Sequence, residues 1–547
     1  MNKHWQILSK KSDNIIEQIL LNRKISRNDW DLFLNPSFEK LFEPFLMKGM
    51  KEAVEKVSRA YIDKETIGIF SDYDADGIPG AALLFEFLTK IGLEVKIYIP
   101  RRDHGYGLNR EGIETLKKEG VKLLIAIDLG SRNIQEVNFA LKNGLEVIIL
   151  DHHEMAKDIP AGIILNPKQK GDSYPFKELA ATGVVFKFIQ AINQKLKKVS
   201  LNYLKWTFDL VAISTICDVV PLISENRIFA KFGLIVLQKT KRLGLKALYQ
   251  RAAILPEKID TYSVGFQIGP RLNAPGRMNY ANESFYLLVS KNHQEAEVLA
   301  RKLDLVNRRR QNELERVLKE AKEKVSKRKL DKNKIILVEG KNWPQGIVGL
   351  VAGKLMEEFA RPVIVCEEKD GKLRGSARSI DAYNMVEALD EAQEYLTKYG
   401  GHKKAAGLSL ELEHLSDLYD KLLEIAESKL KDEDLKPKIT VDAKINIDDI
   451  NLKLVDSLGR LAPFGFANPR PVFQLASSQV SDIRTVGKEN NHLKFKVEGI
   501  SAIGFDLGDR QSELRNAKKI DLVFTLDEDN WDGTRKVQLK VLDLKIL

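Results

Sequence analysis

Asp72, Asp74 and Asp76, set two apart in the stretch TIGIFSDYDADGIPG (residues 66–80), are the residues of this chain best placed to do chemistry. They follow the apolar Ile67, Ile69 and Phe70 and precede Gly77, so the stretch reads as a buried strand running out into three carboxylates. Extended backbone repeats every second residue, and while strand geometry lasts the three side chains leave one face. Like charges crowded in this way cost several kcal/mol unless some are protonated or a cation sits among them, and hard divalent cations are the usual partner of clustered oxygen ligands. Asp and Gly after an apolar run are also ordinary turn residues, and D-x-D-x-D occurs in calcium loops. Taken alone, the stretch serves a metal site or a turn equally.

Two further apolar runs end the same way. Val121 to Ile127 stops at Asp128, followed by Leu129, Gly130 and Ser131; Leu145 to Leu150 stops at Asp151, His152, His153 and Glu154. Helix-like segments lie between them, Ala81 to Ile91, Arg110 to Lys118 and Ile134 to Asn143, each closed by Gly92, Gly120 or Gly144. Strand and helix alternate, which predicts a parallel sheet with helices on its faces and a ligand crevice beyond the carboxyl ends of the strands. Asp218 interrupts the apolar DLVAISTICDVVPL (residues 209–222) and adds a further oxygen ligand. A lone Asp there is usually a helix cap; beside Asp74, Asp76, Asp128 and His152 it completes a set suited to a pair of Mn²⁺ or Mg²⁺ ions, with the imidazole tilting the choice toward Mn²⁺. Two such ions about 3.5–4 Å apart serve phosphoryl transfer.

DYDADG at residues 72–77, the strand-end Asp128, DHH at 151–153 and CDVVPL around Asp218 resemble, in order, the four motifs of the DHH phosphoesterase superfamily. The resemblance implies that Asp74, Asp76, Asp128, His152 and Asp218 bind two divalent metal ions and that His153 stands beside them in catalysis. Asp72 is carried with the catalytic group: some small members of the superfamily have a His ligand where this chain has Phe70, and Asp72 replaces it or the ligand is absent.

At 547 residues the chain is too long for one core and allows about three to four domains. Its 44% hydrophobic and 30% charged residues describe a globular protein, and no apolar run reaches the roughly 18 residues of a membrane span. The amino terminus lacks the apolar core of a signal peptide, so the expected location is cytoplasmic. Cys217 and Cys366, far apart in apolar segments, fit reduced core thiols better than a bridge. A net charge of +10 favours polyanions without proving them.

The elements around the acidic strand ends read as follows. Residues 1–50, with Trp5, Trp30, Phe33, Phe42 and Met47, form an arm expected to pack on a catalytic α/β domain spanning 51–290. In PRRDHGYGL, Arg101 and Arg102 beside Tyr106 suit a phosphate and a stacked base, or a solvated turn. GFQIGPRLNAPGRM (residues 265–278), with paired Gly-Pro and Pro-Gly elements, predicts a rigid loop rather than a helix, on which Arg271 and Arg277 capture an anion or pair with surface acids. Residues 291–333 keep helical spacing without Gly or Pro and predict a long connecting helix with a cleft beside it. A smaller α/β domain follows over 334–433, carrying SARS (Ser376 to Ser379) and GGHKKAAG (Gly400 to Gly407), whose glycines either cradle a phosphate or make a turn. From 436 to 547 short alternating strands predict an OB-like β-barrel that binds single strands, with Lys494, Lys496, Phe473 and Trp531 as candidates, or a plain structural sandwich.

SARS and GGHKKAAG resemble the DHHA1 domain, which implies phosphate contacts from Ser376, Arg378, Gly400, Gly401 and His402. DHH, DHHA1 and a terminal OB-like domain, with LAPFGFANPRPVF between, resemble the RecJ-type single-stranded-DNA exonucleases over nearly the whole chain. That resemblance implies a 5′-to-3′ exonuclease releasing 5′-mononucleotides in recombination and repair, with Arg101, Arg102 and Tyr106 facing the DNA end. It implies single-stranded DNA as partner, and a single-strand-binding protein and a helicase as further ones. Two rivals remain at this level: a small-substrate DHH enzyme acting on dinucleotides or pyrophosphate, and a binding protein built on a decayed DHH domain.

Overall fold

A computed structural model of the chain describes residues 3–100, 107–277, 282–529 and 533–547. In the catalytic region strand and helix alternate as their apolar spacing dictates. Helix α1 (Met50–Asp63) buries Met50, Ala53, Val54, Val57 and Ala60, one stripe of a 3.6-residue period. Then come β1 (Thr66–Ser71), α2 (Gly77–Lys90), β2 (Val95–Tyr98), α3 (Arg110–Lys118), β3 (Val121–Ile127), α4 (Ile134–Lys142), β4 (Glu146–Leu150) and β5 (Ile163–Leu165). The strands form one parallel sheet in the order β2-β1-β3-β4-β5. Both of its faces are buried. Ile67, Ile69, Leu123, Ile125, Ile127, Ile148 and Leu150 enter one core, and their neighbours Phe70, Leu124, Ala126, Val147 and Ile149 enter another. The near-continuous Val/Ile/Leu runs follow from that double burial.

On one side of the sheet lie α5 (Ala181–Leu196), α6 (Phe208–Cys217) and α7 (Ser224–Gln238). A π-turn over Ser263–Ile268 leads directly into α8 (Gly269–Arg277). The stretch expected to be a rigid loop is therefore helical. Its glycines serve close packing rather than turning: a Cβ on Gly269 would stand 2.3 Å from Cys217 Sγ, and one on Gly276 2.6 Å from the Tyr73 carbonyl.

The chain divides into two compact units, residues 6–304 with 440–547, and residues 1–5 with 305–439. Helix α9 (His293–Lys327), long and free of Gly and Pro as expected, carries the chain from one into the other. In the smaller unit, β6 (Ile336–Lys341), α10 (Gln345–Phe359), β7 (Val363–Lys369), β8 (Lys372–Arg378), α11 (Met385–Glu391), β9 (Lys398–His402), β10 (Ala405–Glu411) and α12 (Leu415–Lys429) build a five-stranded sheet in the order β9-β10-β8-β7-β6. Only β6 and β7 run parallel.

The C-terminal region, within the larger unit, is a seven-stranded OB-type sheet. After the short strand Ala443–Lys444 come β11 (Phe473–Ser478), β12 (Val480–Val486), β13 (His492–Val497), β14 (Ile500–Gly504), β15 (Ile520–Asp529) and β16 (Lys536–Ile546). Phe473, a candidate for stacking DNA, is fully buried in its core, while Trp531 lies outside the described residues. The N-terminal arm is shared: Ile19, Leu20 and Phe33 join the barrel's core, whereas Met47 joins the catalytic core. No helix among the described residues is long and apolar enough to cross a membrane.

The barrel is fastened to the catalytic domain by one buried cation. Arg227, on α7, donates from Nε to the Phe33 carbonyl, from Nη1 to that of Leu461, and from Nη2 to those of Arg460 and Ala462. Its guanidinium lies 3.8 Å from the Phe33 ring centroid. Burial, and then the nearby Arg23, push its pKa down to about 9. Four carbonyls and an aromatic face thus satisfy a planar donor that no ammonium could replace. One turn upstream, the Leu222 N–H donates to the Phe466 carbonyl, tying the Asp218 loop to the same linker. Arg227→Met should lower stability by about 3–5 kcal/mol, because it strands buried acceptors, and Arg227→Lys should not rescue it. Denaturant unfolding followed by circular dichroism checks this, and a midpoint equal to wild type would contradict it.

Candidate metal centre and catalytic site

The in-register ends of the parallel sheet determine the site. Ser71, Ile127, Leu150 and Leu165 are aligned across β1, β3, β4 and β5, so the residues that follow, Asp72, Asp128, Asp151 and Asn166, stand side by side at one level. Each step is held by a ladder bond: Asp72 N–H to the Ile127 carbonyl, Asp128 N–H to that of Leu150, and Asp151 N–H to that of Leu165. At Asp128 the backbone turns left-handed (φ 61°), a conformation that Asp tolerates better than most residues.

The DYDADG loop folds back to start α2. Asp74 Oδ1 accepts from the N–H groups of Asp76 (2.8 Å) and Gly77 (3.1 Å). Gly77 is required here, since a Cβ would stand 2.6 Å from the Asp72 carbonyl oxygen. Asp76 is buried against the N-terminus of α5, where it accepts from Ala181 N–H (2.7 Å), Thr182 N–H (2.8 Å) and the Ser214 hydroxyl (2.6 Å). Unpaired helix-end amides favour an anion at that position. Asn273, on α8, accepts the Ala75 N–H at 2.7 Å and so fixes the middle of the loop. Asp218 follows Cys217 as the cap of α6.

Three groups of donor atoms lie within 4.8 Å of one another: Asp72, Asp74 and Asp128; Asp76, His152 and Asp218; and Asp128, His152 and His153. Asp128 and His152 each belong to two groups, so the three are contiguous. His152 Nε2 stands 3.4 Å from Asp128 Oδ1 and 3.6 Å from Asp76 Oδ2 and Asp218 Oδ2. These separations are too long for hydrogen bonds and close to what two ligands about 2.0–2.2 Å from one cation keep between them.

The electrostatics fit the same cation. Burial, then the charges of Asp76, Asp74, Asp72 and Asp218, hold the Asp128 carboxyl far above its ordinary range. Burial, then Asp76 and Asp74, push Asp218 up to about 9. His152 is held below its usual value, chiefly by burial, so its ring is neutral and able to ligate. Carboxylates that raise one another in this way are relieved by positive charge between them, and divalent cations supply it. Oxygen-rich ligands with one or two imidazoles suit Mn²⁺ or Mg²⁺.

Asp151, which in sequence shows only as a strand end, organises both histidines. Its Oδ1 accepts from the N–H groups of His152 (2.7 Å) and His153 (3.1 Å) and meets His153 Nδ1 at 2.7 Å, while Oδ2 accepts from Ser131 N–H at 3.2 Å. Burial works against charge on His153, but the Asp151 carboxylate outweighs it and raises the ring's pKa. Asn166 Nδ2 donates to the His153 carbonyl at 2.9 Å. The signal for both was the same as for Asp128, a polar residue ending an apolar run. Asn273 carried no such signal, because its partner lies 198 residues away. Cys217 Sγ faces the Val264 carbonyl, and burial followed by Asp74 and Asp218 raises its thiol well above the usual value.

The candidate substrate residues divide. Arg271 faces Asp304 (Nε to Oδ1, 3.0 Å) and donates from Nη1 to the Gln267 carbonyl at 2.8 Å; its acid partner lies 33 residues on. Arg101, Arg102, Tyr106 and the side chain of Arg277 lie outside the described residues. In the smaller unit, Arg378 Nη1 donates to Ser376 Oγ (3.0 Å) and to the Ala377 carbonyl (2.8 Å). The supposed glycine loop is a hairpin strand: Gly400 pairs with Gly407, which pairs with Ser376, and His402 pairs with Ala405, which pairs with Arg378. Gly400, Gly401 and His402 are exposed on the sheet's edge strand, so the row Ser376, Arg378 and His402 is formed by strand register rather than by a loop. Gly401 (φ 152°) must be glycine, since a Cβ would stand 2.3 Å from the Ala405 carbonyl oxygen.

Comparison with known proteins agrees with this geometry. Residues 66–215 match the DHH family N-terminal domain, 331–432 the DHHA1 domain and 441–543 the RecJ OB domain. The chain is 38% identical to the single-stranded-DNA-specific exonuclease RecJ of Bacillus subtilis (strain 168), over 94% of this chain and 66% of that one, just under two thirds of its length. It is 31% identical to the RecJ of Haemophilus influenzae over 93% of this chain and 92% of that one. A crystal structure of RecJ in complex with Mn²⁺ from Thermus thermophilus superposes with a TM-score of 0.84 at 26% identity, covering 100% of this chain and 80% of that one. A crystal structure of exonuclease RecJ bound to manganese gives 0.61 at 31% identity, over 71% of this chain and 96% of that one. The chain belongs to the RecJ family of DHH phosphoesterases.

Because Asp151 positions both histidines, Asp151→Asn should weaken Mn²⁺ binding about 10- to 100-fold without unfolding the chain. Titration monitored by the Mn²⁺ electron paramagnetic resonance signal measures this; an unaltered affinity would show that Asp151 does not orient the ligands.

Proposed function

We propose that this chain is a single-strand-specific DNA exonuclease that digests from the 5′ end and releases 5′-mononucleotides, using two divalent cations, Mn²⁺ or Mg²⁺. The observation that carries the reading is a pair of acidic donor groups at the aligned strand ends, one with Asp72, Asp74 and Asp128, the other with Asp76, His152 and Asp218, joined by a third that holds Asp128 and His152 together with His153. Its support is membership of a family whose relatives are named single-stranded-DNA-specific exonucleases.

Cations held there would activate the attacking water and absorb charge on the attacking and leaving oxygens. The side chains divide the remaining work. Asp128, in one of the two groups and 3.4 Å from His152 of the other, would fix the two positions relative to each other. His153, kept protonated more readily by Asp151, would donate a hydrogen bond to a phosphate oxygen and stabilise developing charge. Ser376, Arg378 and His402 in the DHHA1 domain, with Arg101, Arg102 and Tyr106, are assigned to the terminal phosphate and first base. The OB domain supports a polymeric substrate over a dinucleotide, which needs no additional barrel. Recombination and repair, and partners such as a single-strand-binding protein or a helicase, follow from the family resemblance.

End-labelled single-stranded DNA with Mn²⁺ tests the reading. Wild type should release labelled mononucleotide from the 5′ end, and Asp128→Ala should lose about 100- to 1,000-fold in rate or more. Equal digestion of blunt duplex, or an active Asp128→Ala chain, would contradict it. Raising salt should also weaken strand binding, with log K falling about 0.7 per phosphate contacted for each decade of salt. A salt-independent affinity measured by fluorescence anisotropy would remove the electrostatic part of the account.

A further inference from the structure

The edge strand β5 brings a basic residue to the acidic row. Asn166 ends that strand beside Asp151, and Lys168 follows just past it. The buried Asn166 side chain binds two backbones at once: its Oδ1 accepts the Lys168 N–H at 2.9 Å, and its Nδ2 donates to the His153 carbonyl at 2.9 Å. The backbone of Lys168 is thereby set against that of the DHH segment. At the other end of its side chain, Lys168 Nζ stands 2.9 Å from Glu154 Oε1. Glu154 is anchored in turn by Arg132, whose Nε and Nη2 donate to its carbonyl at 3.1 and 2.9 Å.

The ion pair is lopsided. The Lys168 side chain is 20% exposed and the Glu154 side chain 62%, so the cation is largely withdrawn from water while its acid stands in it. A well-solvated carboxylate returns little for a lysine held out of solvent. The charge of that lysine is felt inside the site. Burial dominates the pKa shifts of Asp218 and His152 and the neighbouring acids and histidine follow, but in both the Lys168 ammonium pulls the value down. A positive charge thus lies beside the very group, Asp76, His152 and Asp218, that suits a divalent cation, where it repels such a cation rather than holding it. An ammonium has three donors; among the described residues Glu154 is the acid it meets, and the remaining donors suit a second anion.

From this placement we propose that Lys168 is a catalytic residue that donates to a non-bridging oxygen of the scissile phosphate. The proposal rests on the nuclease reading above and adds to it a contact from outside the DHH motifs. In a cleavage that releases 5′-mononucleotides, the oxygen of water bonds to phosphorus, the 3′-oxygen of the terminal nucleotide leaves and takes up a proton, and the phosphate stays on the shortened strand. Its non-bridging oxygens carry negative charge throughout, and they must approach a row of acids. A compact ammonium at the edge of that row offsets the repulsion and stabilises the charge that develops on those oxygens. The exchange of Glu154 for phosphate replaces one anion by another, so the lysine stays charged and paired. A lysine that merely braced the loop after His153 would need its acid as much as its ammonium, and that difference separates the two roles.

The test compares wild type with Lys168→Gln, Lys168→Arg and Glu154→Gln, each as the full chain with Mn²⁺, on cleavable and phosphorothioate-blocked single strands. Lys168→Gln should lower kcat/KM about 10- to 100-fold. On the blocked strand it should also reduce the slope of log K against log salt by about 0.7, the share of one phosphate contact. Lys168→Arg should restore both, and Glu154→Gln, which leaves the cation in place, should keep the slope. Mn²⁺ affinity, followed by electron paramagnetic resonance, should be retained in Lys168→Gln. The loss of rate should be equal on strands with 5′-phosphate and 5′-hydroxyl ends. Lys168→Gln matching wild type in rate and slope would overturn the assignment and leave the nuclease reading intact. Equal losses of rate and slope in Lys168→Gln and Glu154→Gln would reduce the pair to a brace, a parallel fall in Mn²⁺ affinity would show that Lys168 acts through the cations, and a loss confined to phosphorylated ends would move the contact to the terminal phosphate; each of these overturns it too. A wild-type chain that binds the strand without cutting it would remove the nuclease reading, and the change in salt slope would still decide whether Lys168 meets a phosphate.

Discussion

The centre of this molecule depends on mutual repulsion. Asp72, Asp74, Asp76, Asp128 and Asp218 converge with their donor atoms within a few ångströms, most of them buried. Two carboxylates about 4 Å apart repel by roughly 4 kcal/mol in a protein-like dielectric of about 20, so five cannot stay ionised together without positive charge between them. The raised pKa values of Asp128 and Asp218 express that strain. A pair of divalent cations held among these side chains would relieve it.

What prevents the carboxylates from moving apart is the surrounding fold. Parallel register brings Asp72, Asp128 and Asp151 to one level, and the ladder bonds below them leave no freedom to slip. Asp76 is fastened to the N-terminus of α5 and to Ser214, while Asn273 holds the loop from the opposite side. Every one of these supports is a hydrogen bond between a rigid element and an acid or its loop. The buried Arg227 joins the same α7 region to the barrel linker, so the OB domain is fixed to the framework that carries Asp218.

Much of this was legible in the sequence because strand ends are easy to see. Val121 to Ile127 and Arg110 to Lys118 are bounded as their apolar spacing and glycine stops predict, and each acidic residue at a run's end belongs to the site. The three-residue β5 is too short to show a period, and Asn166 went unread with it. GFQIGPRLNAPGRM misled because glycine and proline usually punctuate loops; here Gly269 and Gly276 let a helix approach Cys217 and Tyr73 closely. GGHKKAAG marked the DHHA1 domain correctly, but its glycines lie on a hairpin edge strand rather than in a loop. Arg271 and Asn273 found partners far away in sequence, which no local pattern reports.

The central claim is that acids from separate segments trap two cations at the carboxyl end of one sheet. Anomalous diffraction at the manganese edge, from crystals grown with Mn²⁺, measures this most directly. Two peaks about 3.5–4 Å apart, one among Asp72, Asp74 and Asp128 and the other among Asp76, His152 and Asp218, are the predicted result. Manganese bound elsewhere, or absent from these strand ends at saturating concentration, would contradict the account.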